Sequence, residues 1–229
     1  MRKLIVLIAL IVSAGLVYAA EEKFTDTFDV AKSNFASSGK NDYWILEPGY
    51  VATFEGTEDG KPGKLIVTIT DQTENVDGVD TRVVEEREWS DGQLVEVSRN
   101  FMAIDKNTND VYYFGEDVDA YKDGKVSNHG GSWRSGKNGA HFGLFMPAKP
   151  TVGQKFYQEL APKEAMDRVE VVSVDEKVEV PAGKFEKCLK TEETTPLEPD
   201  SKEYKLYAPG VGLLVDGGLK LVKYGQGTK

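Results

Sequence analysis

Two hydrophobic periods divide the chain. Across 26–38 the apolar residues Phe28, Ala31 and Phe35 recur at spacings of three and four, which predicts one short amphipathic helix ending at Gly39. Beyond it the period drops to two. The segments 50–55, 64–70, 81–89, 94–104 and 111–115 are rich in β-branched and aromatic residues, and in 64–70 Leu65, Val67 and Ile69 share one face. The second half has the same texture, with strands expected over 155–160, 168–180, 185–192, 203–207, 212–215 and 220–224. PKEAMD at 162–167 predicts a single helical turn opening on proline.

Turn chemistry punctuates these runs: EDGKPG at 58–63, NVDG at 75–78, SDG at 90–92 and KNTND at 106–110. Alternating strands joined by such turns are half-buried antiparallel hairpins. So many in succession predict a mainly β fold, an antiparallel meander forming a curved sheet or barrel with one short N-terminal helix, because open sheet edges invite aggregation. A cavity at one mouth is the natural ligand place in such a fold.

Residues 1–20 carry Arg2 and Lys3, an apolar stretch over 4–16 and a small-residue pattern at Val17, Tyr18 and Ala19, the layout of a secretory signal peptide. The expected organisation is therefore this signal followed by a single β-rich domain over 21–229, of which 21–40 is the N-terminal helical segment. The location is periplasmic or secreted, with no membrane span after cleavage. Cys188 is the lone cysteine, so no intramolecular disulfide can form and stability must come from the core. The formal net charge is −10, and loss of Arg2 and Lys3 makes it more negative. Such an acidic chain disfavours nucleic acid and anionic lipid surfaces as partners.

Candidate chemistry concentrates between Asp91 and Met146. Asp105, Asn107, Asn109 and Glu116 take positions one, three, five and twelve of a calcium-loop window, but Asp110 stands where the sharp turn needs glycine. A hairpin turn explains the same residues, and calcium is the one ion the spacing admits; otherwise no cofactor is expected. The loop NHGGSWRSGKNGA at 128–140 surrounds Trp133 with four glycines and is expected to fold across the mouth with Trp133 as its pin. His129 and His141 are too sparse for a zinc site. Cys188 reads as a small core residue, and no nucleophile, base and orienter assemble into a catalytic set. Glu85, Glu86 and Glu88 read as the solvent side of a strand. Glu96, Asp105, Glu116, Glu159 and Asp167 neighbour apolar residues, so some should point inward, with Arg82, Arg99, Arg134 and Arg168 available as partners.

NDYWILEPGYVATFEG, DVYYFGED, GSWRSGKNGA and YAPGVGLL, in that order, resemble a family of exported bacterial proteins of uncharacterised function, from about Asn41 to the end of the chain. VPAGKFEKCLKT followed by YAPGVG is also similar in texture to β-rich proteins of the lipoprotein-carrier type, whose curved sheet can hold an apolar ligand. The first resemblance implies export but no activity. Where that family carries acidic residues, this chain has Asn100 and Arg134. Together these readings predict an exported, non-enzymatic binding protein with a small-molecule or apolar-ligand site at the mouth of a curved sheet, contacted by Trp133, Tyr113, Glu116 and Asp105. An envelope module that binds another protein is the alternative, and a hydrolase the third.

Overall fold

The structure is a computed structural model describing residues 23–227; the expected signal peptide lies outside the described residues. A single 3-10 turn at Lys32–Asn34 leads into three short strands, β1 (Phe35–Ala36), β2 (Gly39–Lys40) and β3 (Ile45–Leu46). Long hairpin strands follow: β4 (Tyr50–Glu58), β5 (Lys61–Val76), β6 (Val79–Ser90), β7 (Gln93–Asp105) and β8 (Val111–Lys122). Asp59-Gly60, Asp77-Gly78 and Asp91-Gly92 close the first three hairpins, both residues of each pair having positive φ. That is the two-residue turn whose twist matches the strands it joins. Asp123-Gly124 repeats it before β9 (Lys125–Asn128).

The glycine-rich loop contributes β10 (Trp133–Arg134) and leads to β11 (His141–Met146), β12 (Lys155–Tyr157) and β13 (Glu159–Leu160). β14 (Arg168–Val180), β15 (Gly183–Thr195), β16 (Glu198–Ala208), β17 (Gly212–Asp216) and β18 (Leu219–Gln226) complete the chain. All but β2 and β3 belong to one antiparallel sheet, ordered β12-β14-β15-β16-β17-β18-β4-β5-β6-β7-β8-β11-β13. Its two outer strands, β12 and β13, are separated in sequence by Gln158 alone, so the sheet has curled until its ends meet and is nearly a closed barrel. Pairing of β18 with β4, from Leu219 opposite Gly56 to Gln226 opposite Tyr50, joins the two halves. The helical turn expected at 162–167 is instead a tight non-helical turn: Lys163 has φ of 73°, and the amides of Glu164 and Ala165 both donate to the Ala161 carbonyl at 3.0 Å.

The expected N-terminal helix does not form. Within 26–38 the described chain has only the 3-10 turn and the short β1, and Phe35 pairs through its backbone with Asp105. Phe28 and Phe35 instead meet Tyr112 edge-on at 5.7 and 5.4 Å, and Phe35 also packs on Phe114 and Phe142. The spacing that mimicked a helical face belongs to an extended strap dropping aromatic rings onto β8 and β11. Burial of the rings and pairing with β7 outweigh a weak local helix preference.

The β2–β3 hairpin carries Trp44 inward. Asn41 fixes it there: its Oδ1 accepts the amides of Tyr43 and Trp44, both at 2.9 Å, and its Nδ2 donates to the carbonyls of Asn109 and Met146 at 3.0 and 3.2 Å. Trp44 in turn packs against Phe145 with ring centroids 4.6 Å apart.

Candidate functional site in the barrel interior

The inner face of the barrel is graded. Along β7 the side chains that reach the interior are Glu96, Ser98, Asn100 and Met102, a period of two that runs from acid to thioether. Along β16 the same face reads Lys205 and then Tyr207. These strands enclose a cavity of about 230 Å³ whose apolar end is formed by Trp44, Met102, Tyr113, Phe145 and Leu213. Seven carboxylates line the rest: Glu86, Glu96, Glu116 and Glu159 from the half of the sheet that begins at β4, and Asp167, Glu193 and Asp216 from the half that ends at β18.

Lys205 is the one base lining this cavity among the described residues. Its Nζ lies 3.1 Å from Glu193 and 3.4 Å from Asp216. Burial works against its charge, yet these two carboxylates hold its pKa well above that of a free lysine. The expected arginine partners stay elsewhere. Arg82 donates to the Ser37 carbonyl and Arg134 pairs with Asp117 at 2.8 Å. Arg99 pairs with Asp119 at 3.0 Å, and Arg168 covers the Phe24 ring at 4.4 Å.

With so little compensation, desolvation dominates the carboxyls. Burial pushes Glu86 up to about 8, with Asp216, Glu88 and Glu116 adding to the rise and Lys205 opposing it. Glu88 is lifted to about 7 by burial and by Glu96. Glu116 reaches about 7 by burial, although the Tyr113 hydroxyl holds it down. Burial raises Glu159 well above the usual carboxylate range, and the fields of Glu116 and Asp167 raise it further. Asp167 and Glu193 are also raised by burial. At neutral pH Glu86, Glu88 and Glu116 therefore keep part of their protons, which a bound cation would displace.

Of the four ligand contacts expected from the sequence, Tyr113 and Glu116 line this cavity, and of the other acids expected to point inward Glu96, Glu159 and Asp167 do as well. Tyr113 is fixed by a short hydrogen bond that its hydroxyl donates to Asn100 Oδ1. Trp133 stands behind them. Its backbone pairs with Glu116, its ring meets Tyr113 edge-on at 5.5 Å, and its outer side borders a separate hollow of about 400 Å³ with Arg134, Lys137 and Pro162. Gly115 makes this possible, since a Cβ there would lie 2.4 Å from the Trp133 carbonyl oxygen. The loop thus pins to the barrel wall through Trp133, which is nearly buried.

Asp105 is not part of the group. It sits five residues along β7 from Asn100, the partner of Glu116, a separation of roughly 17 Å at strand rise. Its Oδ1 accepts the Asn107 amide at 2.8 Å, and Asn109, with φ of 63°, completes the turn into β8. The window Asp105, Asn107, Asn109 and Glu116 is thus a hairpin turn plus a mid-strand residue and does not wrap one ion. His129 contacts Asp119 at 2.9 Å on the outside, and Cys188 is fully buried on β15.

Glu86 and Glu88 correct the reading of β6 as having an acidic solvent side. They continue the face of Val84, which is fully buried, whereas Glu85 faces out and pairs with Arg87 at 2.7 Å. Lys205, Glu193, Asp216 and Trp44 were also missed. The available signal was phase: Lys205 alternates with buried Tyr207, and Glu193 shares its face with buried Thr191 and Leu189. No family model, curated protein or solved structure matches the chain, so the site is read from its own geometry.

Proposed function

We propose that the protein is an exported, non-enzymatic binding protein whose site is the barrel interior, and that its ligand is a small organic molecule carrying positive charge. One observation carries the reading: seven carboxylates and a single lysine face one cavity. A purely apolar ligand would desolvate those acids without compensating them, which costs several kcal/mol for each polar group left unpaired. A cation gains from each of them, and the aromatic end of the cavity suits its organic body. The signal-like sequence over 1–20 and the resemblance to exported proteins support export.

Thermal denaturation of the mature protein with excess choline, spermidine, tyramine, glucose or octanoate tests the reading, because a ligand that binds only the folded state raises Tm. At least one organic cation should raise Tm at neutral pH, with glucose and octanoate without effect. A rise with octanoate alone, or with none of the five, overturns it.

A further inference from the structure

Lys205 shows what this interior accepts: an alkylammonium lodged between two carboxylates, Glu193 at 3.1 Å and Asp216 at 3.4 Å. A second carboxylate group in the same cavity lacks such a guest. Glu116 comes from β8, Glu159 from β13, and Asp167 from the residue just before β14. The seam brings the last two together, because the amides of Gln158 and Glu159 both donate to the Asp167 carbonyl, at 2.8 and 3.2 Å. Glu116 stands in the same lining, close enough that its field bears on Glu159. Glu159 is only 8% exposed, faces the cavity, and has no basic partner within ion-pair distance among the described residues.

The surroundings limit what the charge can be attached to. Trp44, Tyr113 and Phe145 form the apolar end of the cavity, and Trp44 Nε1 is a buried donor with no acceptor. A volume of about 230 Å³ lies below the range of drug-sized sites. It suits one ring or a short chain. Among the described residues no three acidic, histidine or cysteine side chains gather closely enough to hold a metal ion.

We propose that Glu116, Glu159 and Asp167 form a subsite for the primary ammonium group of a small amine, whose apolar body lies against Trp44, Tyr113 and Phe145 and offers Trp44 an acceptor atom. This rests on the interior-binding reading above. Because Glu116, raised to about 7, keeps part of its protons before the amine enters, binding releases protons to solvent.

Calorimetric titration of the mature protein at pH 7 with tyramine, its neutral alcohol counterpart tyrosol, and calcium chloride, in two buffers of different ionisation enthalpy, tests the subsite. Tyramine should bind with net proton release and tyrosol at least tenfold more weakly. Glu159→Gln, which keeps the shape and removes the charge, should weaken tyramine at least tenfold while leaving the circular dichroism spectrum unchanged. Glu116→Gln should act in the same direction, so the conclusion does not hang on one variant. Equal binding of tyrosol, indifference of tyramine to both variants, or displacement of tyramine by calcium overturns the subsite. If choline or spermidine binds and tyramine does not, the subsite falls while the interior-binding reading stands; if no organic cation binds, both fall.

Discussion

Lys205 is the residue on which the charge balance of the interior turns. Replacing it by methionine leaves Glu193 and Asp216 without their shared cation, in a cavity where burial already disfavours the charge of Glu193. Removing one partner from a buried ion pair typically costs about 3–5 kcal/mol. Lys205→Met is expected to lose stability of this order at pH 8 and less at pH 5, because burial raises Glu193 and a proton taken up there removes the unpaired charge. Urea denaturation at the two pH values checks this, since a loss equal at both would assign Lys205 a packing role. At the same scale the sequence misled at Glu86 and Glu88. The charged run Glu85-Glu86-Arg87-Glu88 ordinarily marks a solvent-exposed stretch of strand, but a barrel with a polar interior inverts that rule. Only their phase with buried Val84 distinguishes the two cases.

Among the elements, β10 depends most on a single backbone position. Gly115 has φ of 136°, and a side chain there would meet the Trp133 carbonyl oxygen at 2.4 Å. Gly115→Ala is expected to cost roughly 1–3 kcal/mol and to lift β10 from β8. Red-shifted Trp133 fluorescence, read with Trp44 and Trp89 replaced by phenylalanine, would report the lift; an unshifted spectrum would show that the loop is held by other contacts. The long strands were legible because alternation and turn residues agree. β14 was expected over 168–180 and is found at Arg168–Val180, and three of the four Asp-Gly turns lie in anticipated turn motifs. The N-terminal segment was not legible, because Phe28 and Phe35 take their positions from the rings of Tyr112, Phe114 and Phe142, contacts that no local period encodes. Trp133 and Glu116 were legible as neighbours of a β8 wall; Asp105 was not separable from them, since distance along a strand is hidden until register is known.

For the whole molecule the acidic interior sets the pH dependence of stability. Glu86 at about 8, and Glu88 and Glu116 at about 7, stand above the usual value of 4.5. Between pH 4.5 and 8 the folded state therefore keeps protons that the unfolded chain has released. The contribution is fully present below the unfolded value and is lost as pH rises through the folded values, at most about 1.4 kcal/mol per pH unit for each proton retained. The ligand-free protein should show a higher Tm at pH 5.5 than at pH 8, and Glu86→Gln should narrow the difference. Scanning calorimetry at both pH values decides it, and a Tm that rises with pH would show that the interior acids are ionised and compensated.

The meeting of β18 with β4 has a consequence in time. Within each half of the sheet, neighbouring strands are mostly neighbours in the chain, so hairpins can form as soon as their residues exist. Tyr50, however, must wait for Gln226. At ribosomal rates the roughly 170 intervening residues take on the order of ten seconds or more to synthesise. Throughout that interval one edge of β4 has no neighbour, and the order in which the chain is made leaves its first half an open sheet until its last strand arrives.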